Sequence, residues 1–387
     1  MKVDQAVIAC GGYGKRLGKI TLKTPKPLIK INNLTVIEYI IKNLTRFGFK
    51  KIILLCHFKH NLFRKKFHNK VIYGAKVTCI YEKNLLGSSG ALFNVKKILD
   101  KNFLFCNGDT FFDINLSDLI YEFSKKNHLA IVALKKLKSN RKYDTFQIDR
   151  NNRLLKSLYQ KSNLINTGIY IFSKKIVPYL LKFGSLEKNV FDRLIQEKLI
   201  SGKEYKNDFL DMGVPSALKT LPKFLKNFFL KPALFLDRDG VINKDTGYVF
   251  EIKKFIWRQN IFKFIKKFND KNYYIIIITN QSGVGRGYYS ENSVVKLHDW
   301  MVEKIRSKGA NIDKIYFAPY FAHSKIKRYK KNKNMRKPQI GMIFKARKDF
   351  NIDLKNSLLI GDSITDKMTA KKSGIKYKIL QFNSKLI

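Results

Sequence analysis

Leu234-Phe235-Leu236-Asp237-Arg238-Asp239-Gly240-Val241-Ile242-Asn243 is the stretch that decides the fold. The apolar run Ala233–Leu236 reads as a short strand, and two aspartates at i and i+2 follow at its carboxyl end. Once the chain turns, both carboxylates reach the open end of a sheet, where one can act as nucleophile and the other as general acid and base. A lone pair of this kind is also compatible with a plain turn. Three further pieces follow downstream. The strand Tyr274–Thr279 ends in Thr279-Asn280-Gln281-Ser282-Gly283, which offers a hydroxyl and amide donors for a phosphate. Arg336-Lys337-Pro338 offers a cation on a fixed backbone, and the strand Leu358–Gly361 runs into Gly361-Asp362-Ser363-Ile364-Thr365-Asp366, which offers carboxylates for a metal. Helical periodicity over Ile261–Phe268, Ser293–Lys308 and Gly341–Phe350, with a strand at Ile315–Phe317, fills the intervals.

The same alternation governs the first half. Strands are expected at Val3–Cys10, Lys51–Cys56, Val77–Tyr81, Phe103–Cys106 and Leu129–Leu134. Helices are expected at Val36–Phe47, Asn61–Phe67, Ala91–Leu99 and Ser117–Lys126. Continuous apolar strands between amphipathic helices imply a mostly parallel sheet covered on both faces. The pattern breaks at SALKTLPKFLKNFFLKP, a closing helix and short linker, so the chain divides into α/β domains at about 1–225 and 232–387. Ligands of such sheets bind at the carboxyl ends of the strands, where every motif here falls.

In the first domain, Gly11-Gly12-Tyr13-Gly14-Lys15-Arg16-Leu17 follows the first strand. Glycines allow a tight turn that brings backbone N–H groups against phosphate oxygens, although such a loop can be a turn and no more. Thr24-Pro25-Lys26-Pro27-Leu28 presents an ammonium between two prolines. Asn107-Gly108-Asp109 ends a strand, and Asp211 lies in Phe209-Leu210-Asp211-Met212-Gly213-Val214-Pro215. Two such carboxylates can clamp a metal across a triphosphate, and each by itself can be a cap or turn residue.

The 387 residues carry a net charge of +48, with 45% hydrophobic and 27% charged residues. That is the composition of a globular chain, long enough for two or three domains. The surplus charge could serve nucleic acid, but Lys, Asn, Ile and Phe are abundant in every segment, Lys greatly outnumbers Arg, and no nucleic-acid module is recognisable. A compositional bias is the reading adopted, with no specific nucleic-acid partner. No apolar run approaches the roughly 20 residues of a membrane helix, and the start MKVDQAVIACGG lacks a signal peptide's features, so a cytoplasmic protein without a membrane partner is expected. Cys10, Cys56, Cys79 and Cys106 each sit in a strand-like run and are expected to be buried, reduced thiols.

The ordered set GGYGKRL, PKPL, Leu86-Gly87-Ser88-Ser89-Gly90-Ala91, Asn107-Gly108-Asp109, Asn166-Thr167-Gly168 and LDMGVP resembles the sugar-nucleotide pyrophosphorylases, in particular the heptose 1-phosphate guanylyltransferases. Lys15 stands where that family usually has Thr. The resemblance implies in-line attack of a sugar 1-phosphate on a nucleoside triphosphate, with the Gly11, Gly12 and Gly14 loop holding phosphates and Arg16 and Lys26 neutralising charge. It places Mg2+ on Asp109 and Asp211, Glu82 and Gly87 near the base, and Asn166 and Gly168 near the sugar. GTP and an α-anomer are the implied substrates.

The four motifs of the second half resemble the haloacid-dehalogenase phosphatase superfamily with a minimal cap. DRDGVIN and TNQSGVGRGYYS point to its D-glycero-D-manno-heptose 1,7-bisphosphate 7-phosphatases, with histidinol-phosphatases as the competitor. Asp237 would be the nucleophile and Asp239 the acid and base. Thr279 and Lys337 would steady the phosphoryl group, beside Asn280 and Arg336. Mg2+ would lie on Asp237, the Asp239 carbonyl and Asp362, with Asp366 supporting. That subgroup usually carries a Cys/His zinc loop ahead of its RKP motif. Here no Cys exists in the domain and His323 alone cannot hold zinc, so none is expected. The basic run His323–Lys337 is either a solvated loop or a substrate clamp.

Together these readings make the chain a bifunctional enzyme of nucleotide-heptose synthesis for a cell-surface polysaccharide, with Mg2+ at both sites. The alternatives are another sugar and base, a phosphatase half that only senses phosphosugars, or a nucleic-acid binder. The oligomeric state stays open.

Overall fold

Ile275–Ile278 places four β-branched side chains in succession, which leaves a strand no polar face to turn toward water. The computed structural model, which describes residues 1–137, 143–156, 162–213, 215–330 and 333–380, buries all four completely. Tyr274–Asn280 is a central strand of a five-stranded parallel sheet whose order is Lys314–Ala318, Tyr274–Asn280, Ala233–Leu236, Leu358–Gly361, Lys376–Ile379. Period-two alternation divides its side chains between two cores. Leu234, Leu236, Ile275 and Ile277 pack on one face, and Ala233, Phe235, Tyr274, Ile276 and Ile278 on the other. The chain leaves the central strand Ala233–Leu236 for Tyr274–Asn280 on one side and reaches Leu358–Gly361 on the other, so the order reverses beside Asp237. That reversal opens a crevice at the strand tips.

Met1–Leu225 and Lys226–Ile387 form two compact units, and the helix Pro215–Phe229 runs across the division. In the first unit Gln5–Ala9 pairs in parallel with Lys51–Cys56 and Asn102–Asn107, and Lys51–Cys56 with Ala75–Tyr81. The other half is mixed, with Ile200–Tyr205 parallel to Ala130–Lys136. The ten-residue strand Leu164–Ser173 runs antiparallel to Asn102–Asn107, Ala130–Lys136 and Thr145–Ile148, so the sheet is mixed rather than mostly parallel.

Two local expectations also shift. The helix expected at Ala91–Leu99 spans Gly87–Asn94, and Val95 and Leu99 are buried from the turns that follow it. Cys10, Cys56 and Cys106 are buried, whereas Cys79 lies on the neighbouring strand Ala75–Tyr81 and is partly exposed. A two-stranded ribbon of Thr110–Phe112 and Phe209–Asp211 pairs Asp211 with Thr110. It brings together two segments about a hundred residues apart in the chain.

Candidate active sites

The ribbon decides the first site. Met212 N–H donates to the Asp109 carbonyl at 3.0 Å, which sets Asp211 beside Asp109 at the edge of a cleft of about 280 Å³. Arg16, Lys26, Asn107, Asn166 and Gly168 share that cleft. Lys26 Nζ donates to Asp109 Oδ2 at 2.5 Å, with both side chains largely buried. Burial pushes the Asp211 carboxyl up from its ordinary value, and the Asp109 charge adds to this. Two converging carboxylates, one of them made harder to ionise by burial, are groups that a divalent cation would relieve. Gly168 (φ +73°) is required, because a Cβ there would lie 2.2 Å from Asn107 Nδ2. Asn166 is held by donating to the Tyr170 hydroxyl at 2.7 Å and accepting from Gly168 N–H at 3.0 Å.

The cleft also contains residues the motifs did not single out. Tyr143, Asp144 and Glu187 line it. Glu187 accepts from the hydroxyls of Ser185 and Tyr170, each at 2.7 Å. Asp144 is raised by burial and then by Glu187. Lone acidic residues scattered over 44 positions of sequence carry no spacing signal; only the fold of Leu164–Ser173 gathers them.

Gly11, Gly12, Gly14, Glu82 and Gly87 do not line this cleft. Gly14 (φ +67°) adopts a conformation that favours glycine, and Gly12 has open space where a Cβ would stand. Glu82 lies under the glycine loop: a Cβ on Gly11 would meet Glu82 Oε2 at 3.4 Å. Its carboxylate is 3% exposed, Oε1 has no hydrogen-bond partner, and burial pushes it up to about 7. Gly87 (φ +76°) packs against Gly184, whose carbonyl oxygen would lie 2.3 Å from a Cβ. Its need for glycine is met by backbone packing.

In the second unit, Asp237, Asp362 and Asp366 bring carboxylate oxygens within 4.8 Å of one another, the one such group among the described residues. Lys337 Nζ sits 2.6 Å from both Asp237 Oδ2 and Asp366 Oδ1. Burial raises Asp237 to about 7, against the opposing pull of Lys337. Asp366 is fixed at the start of the helix Ile364–Ser373, where Ser363 and Asp366 form a reciprocal cap. Gly240 (φ +76°) cannot carry a side chain, because a Cβ would overlap Asp362 Oδ2 at 1.6 Å.

Asp239 stands apart from that group. Its carboxylate accepts from Arg238 at 2.8–3.1 Å, from Asn243 Nδ2 at 2.9 Å and from Gln281 Nε2 at 2.9 Å. Thr279 is buried at the tip of its strand. The side chain of Asn280, expected near phosphate, clamps the Lys337 backbone, donating to its carbonyl at 3.1 Å and accepting its N–H at 3.0 Å. Arg336 donates to the Tyr320 carbonyl at 3.2 Å, and burial together with neighbouring Arg286 depresses its proton affinity.

Residues 5–227 match the nucleotidyl transferase family, and residues 234–379 the polynucleotide kinase 3 phosphatase family. A D-glycero-alpha-D-manno-heptose-1,7-bisphosphate 7-phosphatase of Burkholderia mallei is 47% identical over 148 residues, which are 38% of this chain and 78% of that protein. A D-glycero-beta-D-manno-heptose-1,7-bisphosphate 7-phosphatase of Vibrio cholerae is 41% identical over 150 residues, 39% of this chain and 81% of the relative. The chain belongs to the nucleotidyl transferase family and, through its second unit, to the heptose-1,7-bisphosphate 7-phosphatases. It is an enzyme with a nucleotidyltransferase half and a phosphatase half. Among solved structures, HddC from Yersinia pseudotuberculosis superposes with a TM-score of 0.50 at 24% identity, covering 57% of this chain and 99% of that one. The inositol-1-phosphate CTP transferase of T. maritima gives 0.51 at 18% identity, covering 58% and 96%. Both share the fold of the first unit.

A zinc loop does not fit the phosphatase half. From Pro319 to Arg336 the one Cys, His, Asp or Glu in the sequence is His323. A single nitrogen donor cannot complete a tetrahedral site. Phe321 and Tyr329 of this stretch are held by packing and hydrogen bonding: Tyr329 is buried with Val284, Tyr289 and Val294, and Phe321 N–H donates to the Tyr329 carbonyl at 3.0 Å. Among the described residues no helix is long and apolar enough to cross a membrane.

Proposed function

We propose that the chain is a bifunctional enzyme of nucleotide-heptose synthesis. The phosphatase half removes the 7-phosphate of D-glycero-D-manno-heptose 1,7-bisphosphate, and the transferase half joins the resulting heptose 1-phosphate to a nucleotidyl group, GTP being the favoured donor, with release of pyrophosphate. The observation that carries the reading is the convergence of Asp237, Asp362, Asp366 and Lys337 at strand tips of a unit 47% identical to a named heptose bisphosphatase. The heptose of the first half follows from the second, because the product of one reaction is the acceptor of the other.

In the phosphatase half, an Asp237 oxygen attacks the 7-phosphorus to form an aspartyl-phosphate, and Asp239 protonates the departing alkoxide. Asp239 then takes a proton from the water that cleaves the acyl phosphate. Lys337 screens the Asp237 and Asp366 carboxylates from each other and faces the phosphoryl charge. In the transferase half, the sugar phosphate oxygen attacks the α-phosphorus in line, Arg16 and Lys26 neutralise charge, and the Gly11–Gly14 loop offers backbone amides to the leaving pyrophosphate. Asn166, Gly168, Asp144 and Glu187 face the sugar. Mg2+ fits Asp237, Asp362 and Asp366 in one half and Asp109 and Asp211 in the other, and when bound it supplies charge neutralisation at the phosphoryl oxygens.

GTP is favoured on a stereochemical ground. Guanine presents two parallel donors, N1–H and the N2 amine, on its Watson–Crick edge. An ionised carboxylate accepts both, whereas uracil offers one donor between two acceptors and cytosine a single amine beside two acceptors. Glu82, buried with one oxygen unpartnered and pushed up to about 7 by that burial, is such an acceptor above that pH. The test supplies both anomers of heptose 1,7-bisphosphate with each nucleoside triphosphate and identifies products by mass. A GDP-heptose with free phosphate and pyrophosphate is expected. Products from another sugar phosphate alone would overturn the assignment.

A further inference from the structure

Gln281 closes a hydrogen-bonded chain that no motif reading explains. It is 2% exposed and has a charged neighbour. Its Nε2 lies 2.9 Å from Asp239 Oδ2 and 3.0 Å from Thr279 Oγ1, and its Oε1 accepts from the Tyr289 hydroxyl at 3.0 Å. The orientation of the amide follows from chemistry. A carboxylate can only accept, so the atom facing Asp239 is the nitrogen, and both of its hydrogens are then used, one on Asp239 and one on Thr279. The oxygen is left to Tyr289. Burial lifts that phenol to about 12, so it remains a donor throughout the neutral range. Gly283 makes the contact possible, since a Cβ there would collide with the Tyr289 ring at 2.3 Å.

Two consequences follow at the reacting end. Because Gln281 donates to Thr279 Oγ1, the threonine's own hydrogen cannot point back at the amide and is free for a phosphoryl oxygen. The second consequence concerns Asp239. Arg238 grips it from one side. That arginine is itself fully buried, donating to the Val249 carbonyl at 2.7 Å and lying 3.2 Å from His298 Nε2. Gln281 grips it from one residue past the strand that carries Thr279. The acid–base carboxylate and the phosphate-binding hydroxyl are therefore tied to one amide.

We infer that Gln281, oriented by Tyr289, is a positioning residue of the phosphatase half: it sets the direction of the Thr279 hydroxyl and the placement of the Asp239 carboxylate in a single arrangement. The inference rests on the phosphatase reading, in which Asp239 gives a proton to the departing alkoxide. Loss of Gln281 therefore weighs most on esters whose leaving group needs that proton. A sugar alkoxide needs it, and p-nitrophenolate does not.

The experiment compares the full-length protein with its Gln281→Leu and Tyr289→Phe variants, using heptose 1,7-bisphosphate and p-nitrophenyl phosphate with Mg2+ present. For Gln281→Leu we expect kcat/KM on the heptose ester, which reports the step that expels the alkoxide and not the aspartyl-phosphate hydrolysis common to both esters, to fall about 30-fold, within the range that general acid catalysis contributes. On p-nitrophenyl phosphate the fall is expected to be about threefold, that being the share of the Thr279 hydroxyl. Tyr289→Phe removes one oxygen without changing the ring and should give the same imbalance in weaker form, which keeps the inference testable if Gln281→Leu does not fold. Equal losses of kcat/KM on both esters, or a lowered Tm with unchanged kcat/KM on both, would overturn it. A wild-type protein inert toward both esters would overturn the phosphatase reading itself, and that outcome is recognised without any variant.

Discussion

Replacing Glu82 with Gln tests the first unit on stability and on selectivity together. Glu82 is buried, lacks a partner on Oε1, and has its proton affinity raised from 4.5 to about 7. A difference of that size corresponds to about 3 kcal/mol, since each pH unit is worth roughly 1.4 kcal/mol. The sign follows from the raised value. The folded protein holds the proton more tightly than the unfolded chain, so this group's contribution is fully present below pH 4.5 and is lost as the pH rises toward 7. Glutamine cannot ionise and escapes that loss. Glu82→Gln should therefore match the parent near pH 4.5 and exceed it at pH 8, by at most about 3 kcal/mol, or roughly 5–10 °C in the Tm of a unit this size. The same exchange replaces one acceptor by a donor opposite guanine, and a lost bidentate contact costs about 1–3 kcal/mol. The kcat/KM for GTP should fall about 10- to 100-fold relative to UTP and CTP. Thermal melts at the two pH values and pyrophosphate release with each triphosphate read both effects. A Tm offset independent of pH would show that the carboxylate is not strained in the fold. Unchanged selectivity would show that it does not meet the base.

Asp237→Asn should abolish phosphate release, by at least about a thousandfold, and leave pyrophosphate formation intact, while Asp109→Ala should do the reverse; coupled assays for the two ions separate the cases. Gly240→Ala forces a Cβ onto Asp362 Oδ2 and should depress phosphatase kcat with a lowered Tm, leaving the transferase rate alone. Lys337→Met leaves Asp237 and Asp366 facing each other unscreened and should cost about 3 kcal/mol or more of phosphatase-unit stability, read by denaturant titration, together with most of the activity. A zinc-selective chelator should leave the phosphatase rate unchanged while Mg2+ is supplied, because the sequence from Pro319 to Arg336 offers only His323 as a ligand; one zinc per chain in metal analysis would refute this.

The second unit was the more legible half, for a physical reason. In a parallel sheet each strand is a short, wholly apolar run and each motif sits one step beyond it, so Asp237, Thr279 and Asp362 could be placed by counting from Leu236, Ile278 and Gly361. Lys337 could be named but not its double contact with Asp237 and Asp366. The first unit hid more. The strand Leu164–Ser173 is interrupted by Asn166, Thr167 and Gly168, and its pairing with Ala130–Lys136 shifts register between Asn166 and Tyr170. Apolar alternation fails at that point, so the residues were visible as a motif and not as the strand that makes the sheet mixed. Gly87 is ambiguous for a related reason: its positive φ and its contact with Gly184 are backbone requirements, which look the same in sequence as a close approach to a ligand.

The proposed order of reactions places a demand on the phosphatase half that its geometry meets. A heptose 1,7-bisphosphate offers two esters, and the anomeric hydroxyl is the more acidic alcohol, so the 1-phosphate has the better leaving group. A site that relied on leaving-group ability would destroy the acceptor the transferase half needs. Selection must come from assistance given to the primary alkoxide at C7, which departs poorly without a proton. Asp239 supplies that assistance only if it is held where the C7 oxygen arrives, with the phosphoryl group seated on Thr279 at the same moment. Arg238, Asn243 and Gln281 hold the carboxylate, and Gln281 ties it to Thr279. A variant that loosens this tie should therefore lose regioselectivity along with rate, releasing a larger share of its phosphate from C1.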